Sequence, residues 1–224
     1  MNESDHRARD RRAAGRRLTT QWYGELSLDF LVRSEPHDCP YLSGRSAREE
    51  FFCVNECPPD LYNDFMDYGF RRAGRCIYRP VCDSCRECRP IRVAIDRFRL
   101  SKSQRRLLRK NEDIEVRLVK PRFTRDKHRM YIDYLAAQHG RVRGEPEEEL
   151  PTALYRSCVR TREFEYRLAG RVVACGIVDV CSRSLSTVYA YYDPDFASRS
   201  LGTFSAIQEI LYCRDSSIDR KSVV

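Results

Sequence analysis

Three stretches in the C-terminal half constrain the fold most: Phe164–Leu168 (FEYRL), Arg171–Cys181 (RVVACGIVDVC) and Leu185–Asp193 (LSTVYAYYD). Each is rich in β-branched and aromatic residues. They are separated only by Ala169-Gly170 and by the polar Ser182–Ser184. Connections this short can join only antiparallel neighbours, so the three form a meander. Leu201–Tyr212 follows with helical character, which makes the chain α+β.

The upstream residues supply further elements. Leu26, Leu28 and Phe30 alternate as in a strand. Asp60 can cap a helix that turns Leu61, Phe65 and Tyr68 to a core and ends at Gly69. Ile91–Phe98 reads as a strand, and Ser101 or Ser103 opens the helix SQRRLLRKN. Ile114, Val116 and Leu118 alternate again, and Thr124 opens a helix reaching about His139 and Gly140. Residues 1–17 are Arg-rich with almost no large apolar groups and cannot build a core. Residues 143–151, the densest acidic run, read as a surface loop. Cys213–Val224 is polar without alternation, so the sheet is expected to be C-terminally incomplete, with the Leu185–Asp193 strand left with an unpaired edge.

Charge narrows the partner. The net charge is +8, and residues 71–129 carry 20 Lys+Arg against 7 Asp+Glu, a balance of +13 that leaves −5 for the rest. Such concentration favours a polyanion. The N-terminus lacks the apolar stretch of a secretory signal, and no apolar run approaches the ~20 residues of a membrane span. Eleven cysteines, an odd and partly clustered set, fit a reducing cytoplasmic setting. Cys158, Cys175, Cys181 and Cys213 are expected to be small buried hydrophobes. Cys82, Cys85 and Cys88 stand at C-x2-C-x2-C spacing, which can converge on one soft metal.

Five motifs, in order, resemble the aminoacyl-tRNA–protein transferases: Cys-Pro-Tyr-Leu-x-Gly-Arg at 39–45, Tyr-Gly-Phe-Arg-Arg-x-Gly at 68–74, Tyr-Arg-Pro-x-Cys-x-x-Cys-x-x-Cys at 78–88, Ser-x-Ser-Gln-Arg-Arg at 101–106, and Asp193-Pro-Asp-Phe-Ala-Ser-Arg-Ser-Leu-Gly-Thr-Phe204. The resemblance spans roughly Trp22 to Tyr212. It implies transfer of leucine or arginine from aminoacyl-tRNA to acceptor proteins with N-terminal Asp or Glu, marking them for degradation. It also implies a cysteine-bearing N-terminal domain (18–100, after the 1–17 tail) and a catalytic half (101–224) like the N-acetyltransferase (GNAT) fold. No membrane partner is implied.

An aminoacyl ester is already activated, so transfer requires no cofactor and no protein nucleophile. Asp193 and Asp195 are candidates to receive a proton or bind the amine, and Tyr191, with Tyr189 and Tyr192, to contact the terminal adenosine. Arg199, Ser200, Leu201, Gly202 and Thr203 form the donor-binding turn, and Ser101, Gln104, Arg105 and Arg106 suit tRNA phosphates. Arg45, Arg71, Arg72 and Arg79 are candidates for the acidic acceptor residue. Cys39 with Cys82, Cys85 and Cys88 makes four candidate ligands for zinc or an iron–sulfur cluster; Leu42 stands where eukaryotic relatives have a further cysteine. Phe204 stands where the acetyltransferase turn R/Q-x-x-G-x-G/A has a small residue, which argues against coenzyme A. The rival readings are an inactive, truncated member serving as an RNA-binding module, and a small-molecule N-acetyltransferase.

Overall fold

The meander forms as its spacing requires. In the computed structural model, which describes residues 31–139 and 153–223, β9 (Thr161–Leu168), β10 (Arg171–Val180) and β11 (Ser184–Tyr192) pair antiparallel in sequence order. The β9–β10 turn places Ala169 at φ 47° and Gly170 at φ 81°. Two successive positive φ values match the right-handed twist of the strands, and the glycine makes the second free of strain. The tail 1–17, the Leu26–Phe30 strand and the loop 143–151 lie outside the described residues.

The meander is the centre of a six-stranded sheet ordered β7-β12-β11-β10-β9-β8, with β7 at Ile91–Ala94, β8 at Glu115–Val119 and β12 at Arg220–Val223. Alternation along β10 sends Ala174 and Val178 to one face and Cys175 and Ile177 to the other. Helix α4 (Leu201–Asp215) covers the first face through Leu201, Phe204 and Ile210. Helix α3 (Arg125–His139) covers the second through Met130, Tyr131 and Leu135. Cys158, Cys175, Cys181 and Cys213 are buried as expected. Burial pushes the Cys181 and Cys213 thiols up to about 12.

The C-terminal segment corrects the sequence reading. Arg220–Val223 is strand β12, parallel to β11 over Ser184–Thr187 and antiparallel to β7. The polar pattern misleads because Lys221 is itself a core residue: its ammonium pairs with Glu209 of α4 at 3.2 Å, with side chains 1% and 0% exposed. Glu209 also accepts from Ser205 at 3.1 Å and from Thr187. The edge of β11 is therefore covered at Ser184–Thr187, while among the described residues Val188–Tyr192 has no strand on that side.

A second, four-stranded sheet, β1-β4-β6-β5, comprises Val32–Arg33, Glu49–Cys53, Cys76–Pro80 and Arg71–Ala73. Helix α1 (Pro59–Asp67) packs Tyr62, Phe65 and Met66 into its core. Pro58 is the N-cap, and Asp60 sits in the first turn, where its charge suits the helix dipole; Tyr68 is 50% exposed rather than inward. Cys53 and Cys76, cross-strand partners on β4 and β6, form a disulfide. Between the two sheets, Arg72 of β5 donates to Asp179 of β10 at 2.8 and 3.0 Å, with both side chains fully buried.

Candidate active site

The end of β11 gathers the relevant groups. Pairing of β10 with β9 shifts register between Val172 and Ala174, a bulge that frees the carbonyl of Val173 to accept the Asp193 amide at 2.9 Å. Asp193 then caps the short 3-10 turn Pro194–Arg199, its carboxylate accepting the Asp195 amide at 3.0 Å. Ser200, left-handed at φ 52°, reverses the chain into α4, whose first turn has no side-chain cap. Its N–H donors therefore remain available to an anion or developing oxyanion. Tyr192 lies beside this start: a β-carbon on Gly202 would meet its ring at 3.8 Å. Tyr134 of α3 packs edge-on against the Tyr192 ring at 5.0 Å.

Beside Asp193, on the α3 face, lies a cavity of about 570 Å³ reached by Lys127, Met130, Glu165, Arg171 and Val172. Lys127 is buried and bonds Glu163 at 2.8 Å and Glu165 at 2.7 Å. Burial disfavours its charge, yet the hydrogen bonds to both carboxylates outweigh this and raise its pKa. Glu165 is likewise opposed by burial but held below its usual range by Lys127 and Arg167. Glu163 accepts from the Tyr155 hydroxyl at 3.1 Å, which is 2.7 Å from that of Tyr191. Burial pushes both phenols up, so they stay protonated. Arg171 pairs with Asp193 at the mouth.

Several expected site residues turn out to have structural partners. Tyr191 is 1% exposed, its hydroxyl 2.7 Å from that of Tyr155. Arg199 is bonded through both guanidinium nitrogens to Asp113, at 2.7 and 2.9 Å. Leu201 and Phe204 face the core, Phe204 against Tyr166 at 5.8 Å, so only their backbone can meet a ligand. The bulk of Phe204 therefore does not crowd the turn, and the argument from it against coenzyme A falls. Ser101 and Gln104 form a reciprocal capping box on α2 (Lys102–Lys110). Arg105 and Arg106 are exposed on that helix. Of the acceptor candidates, Arg72 is spent on Asp179, Arg79 pairs with Glu50 at 3.0 Å above the Phe70 ring, Arg71 is half-buried and Arg45 exposed.

Cys39, Cys82, Cys85 and Cys88 are neighbours: burial and then the charges of the other three raise the Cys88 thiol. Even so, among the described residues no three or more His, Cys, Asp or Glu side chains are arranged to hold a metal ion. The ligand sphere expected of Cys39, Cys82, Cys85 and Cys88 is therefore not seen among the described residues. Sequence reasoning missed Lys127, Glu163, Glu165 and Arg171. The available signal was Glu163 and Glu165, two residues apart in a strand and so on one face, where a buried pair of carboxylates demands a cation.

The fold is a mixed α/β protein with an uncapped helix start beside an open strand edge, and comparison with known proteins places it in a family. Residues 37–106 match the family model "Arginine-tRNA-protein transferase, N terminus", and residues 126–222 match its C-terminus counterpart. The aspartate/glutamate leucyltransferase of Stutzerimonas stutzeri is 35% identical over 181 residues, covering 79% of this chain and 77% of that protein. The Pseudomonas syringae pv. syringae protein of the same name is 35% identical over 190 residues, covering 83% and 80%. Among solved structures, L-PGS of Bacillus licheniformis superposes with a TM-score of 0.41 at 14% identity, covering 77% of this chain and about half (51%) of its own. The chain belongs to the arginine-tRNA-protein transferase family.

Proposed function

We propose that this protein is an aminoacyl-tRNA–protein transferase that moves leucine, as its curated relatives are named for, or arginine, from tRNA to the N-terminal Asp or Glu of acceptor proteins. The observation that carries the reading is the meeting, at one end of β11, of an uncapped helix start, an open strand edge and a carboxylate at the mouth of a charged cavity. The parallel β11–α4–β12 unit also supports a GNAT-like catalytic half, joined to a cysteine-bearing N-terminal part.

In this reading the ester carbonyl lies at the start of α4, and the terminal adenosine lies near Tyr192 and Tyr134. The acceptor α-amine, with a pKa near ~7.7–8, loses its proton to Asp193 or solvent and attacks the carbonyl. The C–N bond forms, the oxyanion is met by the backbone N–H groups of Gly202 and Thr203, and the C–O bond to the ribose breaks. As the tetrahedral intermediate collapses, the nitrogen gives up its second proton and the ribose oxygen takes one up, so the transfer balances with one proton released overall. Asp195 flanks this site, and the exposed Arg105 and Arg106 engage tRNA phosphates. Orientation supplies most of the rate.

The test offers labelled leucyl-tRNA and arginyl-tRNA with an Asp-terminal acceptor, and acetyl-coenzyme A as control. Label transferred from either tRNA supports the reading. Transfer from acetyl-coenzyme A alone, or tRNA binding without transfer, overturns it.

A further inference from the structure

Resting on the transferase reading, we infer that the cavity beside Asp193 is the pocket for the acidic N-terminal residue of the acceptor, with Arg171 its specificity-determining cation. The cavity is lined by four cationic and four carboxylate side chains, among apolar neighbours. A balanced lining of this kind suits an occupant carrying both signs a few ångströms apart. An N-terminal Asp or Glu, with its α-ammonium and its side-chain carboxylate, is such an occupant.

Of the four cations, Arg129 is exposed on α3, and only Arg171 meets Asp193, the carboxylate that leads into the helix start. Lys127, Arg167 and Arg171 are not equivalent. Lys127 is 4% exposed and saturated by Glu163, Glu165 and the Arg122 carbonyl. Arg167 is bonded to Glu165 at 2.7 Å and to the Gly170 carbonyl at 3.0 Å. Arg171 is 65% exposed, lies over the Phe196 ring at 5.8 Å, and meets Asp193 through a single guanidinium nitrogen. Its remaining donors are free for the paired hydrogen bonds a carboxylate accepts from arginine.

The Arg171–Asp193 pair is thus the complement of an acidic N-terminal residue. On entry, the substrate carboxylate takes the guanidinium and the substrate ammonium takes Asp193, so one ion pair is replaced by two with no uncompensated charge. Because Asp193 is tied by its amide to the β10 bulge and leads into α4, the amine arrives beside the helix start. This assignment moves acceptor recognition from the arginines of the N-terminal part to the turn between β9 and β10.

The test uses the full chain with leucyl-tRNA and a set of reporter proteins beginning with Asp, Glu, Asn or Gln. Wild-type protein should prefer Asp over Asn and Glu over Gln. Arg171→Gln should raise KM for the Asp acceptor about 10- to 100-fold, the loss of one charge-assisted pair, and shrink the Asp/Asn preference by the same factor. KM for leucyl-tRNA should stay within about threefold, and the melting temperature should hold because Arg171 is exposed at a turn. Arg171→Lys should recover part of the preference. Undiminished Asp/Asn preference in Arg171→Gln overturns the inference while leaving the transferase reading intact. So does loss of that preference in Arg45, Arg71, Arg79 or Arg129 variants instead. Absence of transfer by the wild type from both leucyl- and arginyl-tRNA removes the reading and the inference together.

Discussion

Replacing Arg72 by alanine separates a structural arginine from a substrate-binding one. Arg72 and Asp179 are fully buried, and Asp179 keeps only the Thr161 hydroxyl, at 2.6 Å, once the guanidinium is gone. Burial lowers the charged form of Arg72, but Asp179 more than compensates and its pKa is raised. Breaking a buried pair by removing one partner typically costs about 3–5 kcal/mol, since the remaining charge has lost its compensation. For a chain of this size each kcal/mol lowers the melting temperature by about 2–4 °C, so R72A should melt about 6–20 °C below wild type. Urea titration should show the same loss as a shift in midpoint at constant slope. The paired variant R72M/D179L, which leaves no orphan charge, should recover much of it. An R72A protein with wild-type stability and a raised KM for the acceptor would refute this account and return Arg72 to substrate binding.

Three further outcomes are expected. Lys221→Met leaves Glu209 buried without its cation, so amide exchange over β12 should accelerate and stability fall by about 3–5 kcal/mol, with recovery in K221M/E209Q. Because the folded-state pKa of Glu165 lies below its ordinary value of 4.5, its contribution is present above that pH and lost as pH falls through the folded value. Glu165→Gln should therefore flatten the acid limb of stability measured by urea midpoint at successive pH values. The logarithmic salt slope of tRNA binding should flatten in R105A/R106A by roughly 0.7–0.9 per lost phosphate contact, measured by filter binding.

The meander was legible because strand composition and short turns act locally, and the helix of residues 102–110 because a Ser-x-x-Gln cap is written in four consecutive positions. Elements whose polarity is cancelled by a distant partner were hidden. Lys221 makes β12 look like a polar tail until Glu209 is seen across the sheet. Arg72 looks like a surface ligand until Asp179, 107 residues away, is placed beside it. The cysteine spacing gave proximity but not a ligand sphere. For the site, the turn after β11 was readable as a motif, whereas the cavity needed α3 to be laid over β9 and β10.

On the proposed reading, a helix that engages tRNA phosphates acts on chemistry at the start of another. Helix α2 is fastened at its C-terminal end to the turn that precedes α4. Lys110 donates to the Ser198 carbonyl at 2.6 Å, Asn111 to the Arg199 carbonyl at 3.1 Å, and Asp113 takes the Arg199 guanidinium. All three contacts fall within the two residues before left-handed Ser200, the point that sets the direction of the first N–H groups of α4. A tRNA held by the exposed arginines of α2 is thereby registered against the helix start where its aminoacyl end would lie. In the same reading Arg199 acts without touching phosphate, because its pairing with Asp113 holds α2 against the turn before α4. Positioning, the main source of rate for an ester that is already activated, is then built into the packing of α2 on the turn rather than into any single catalytic side chain.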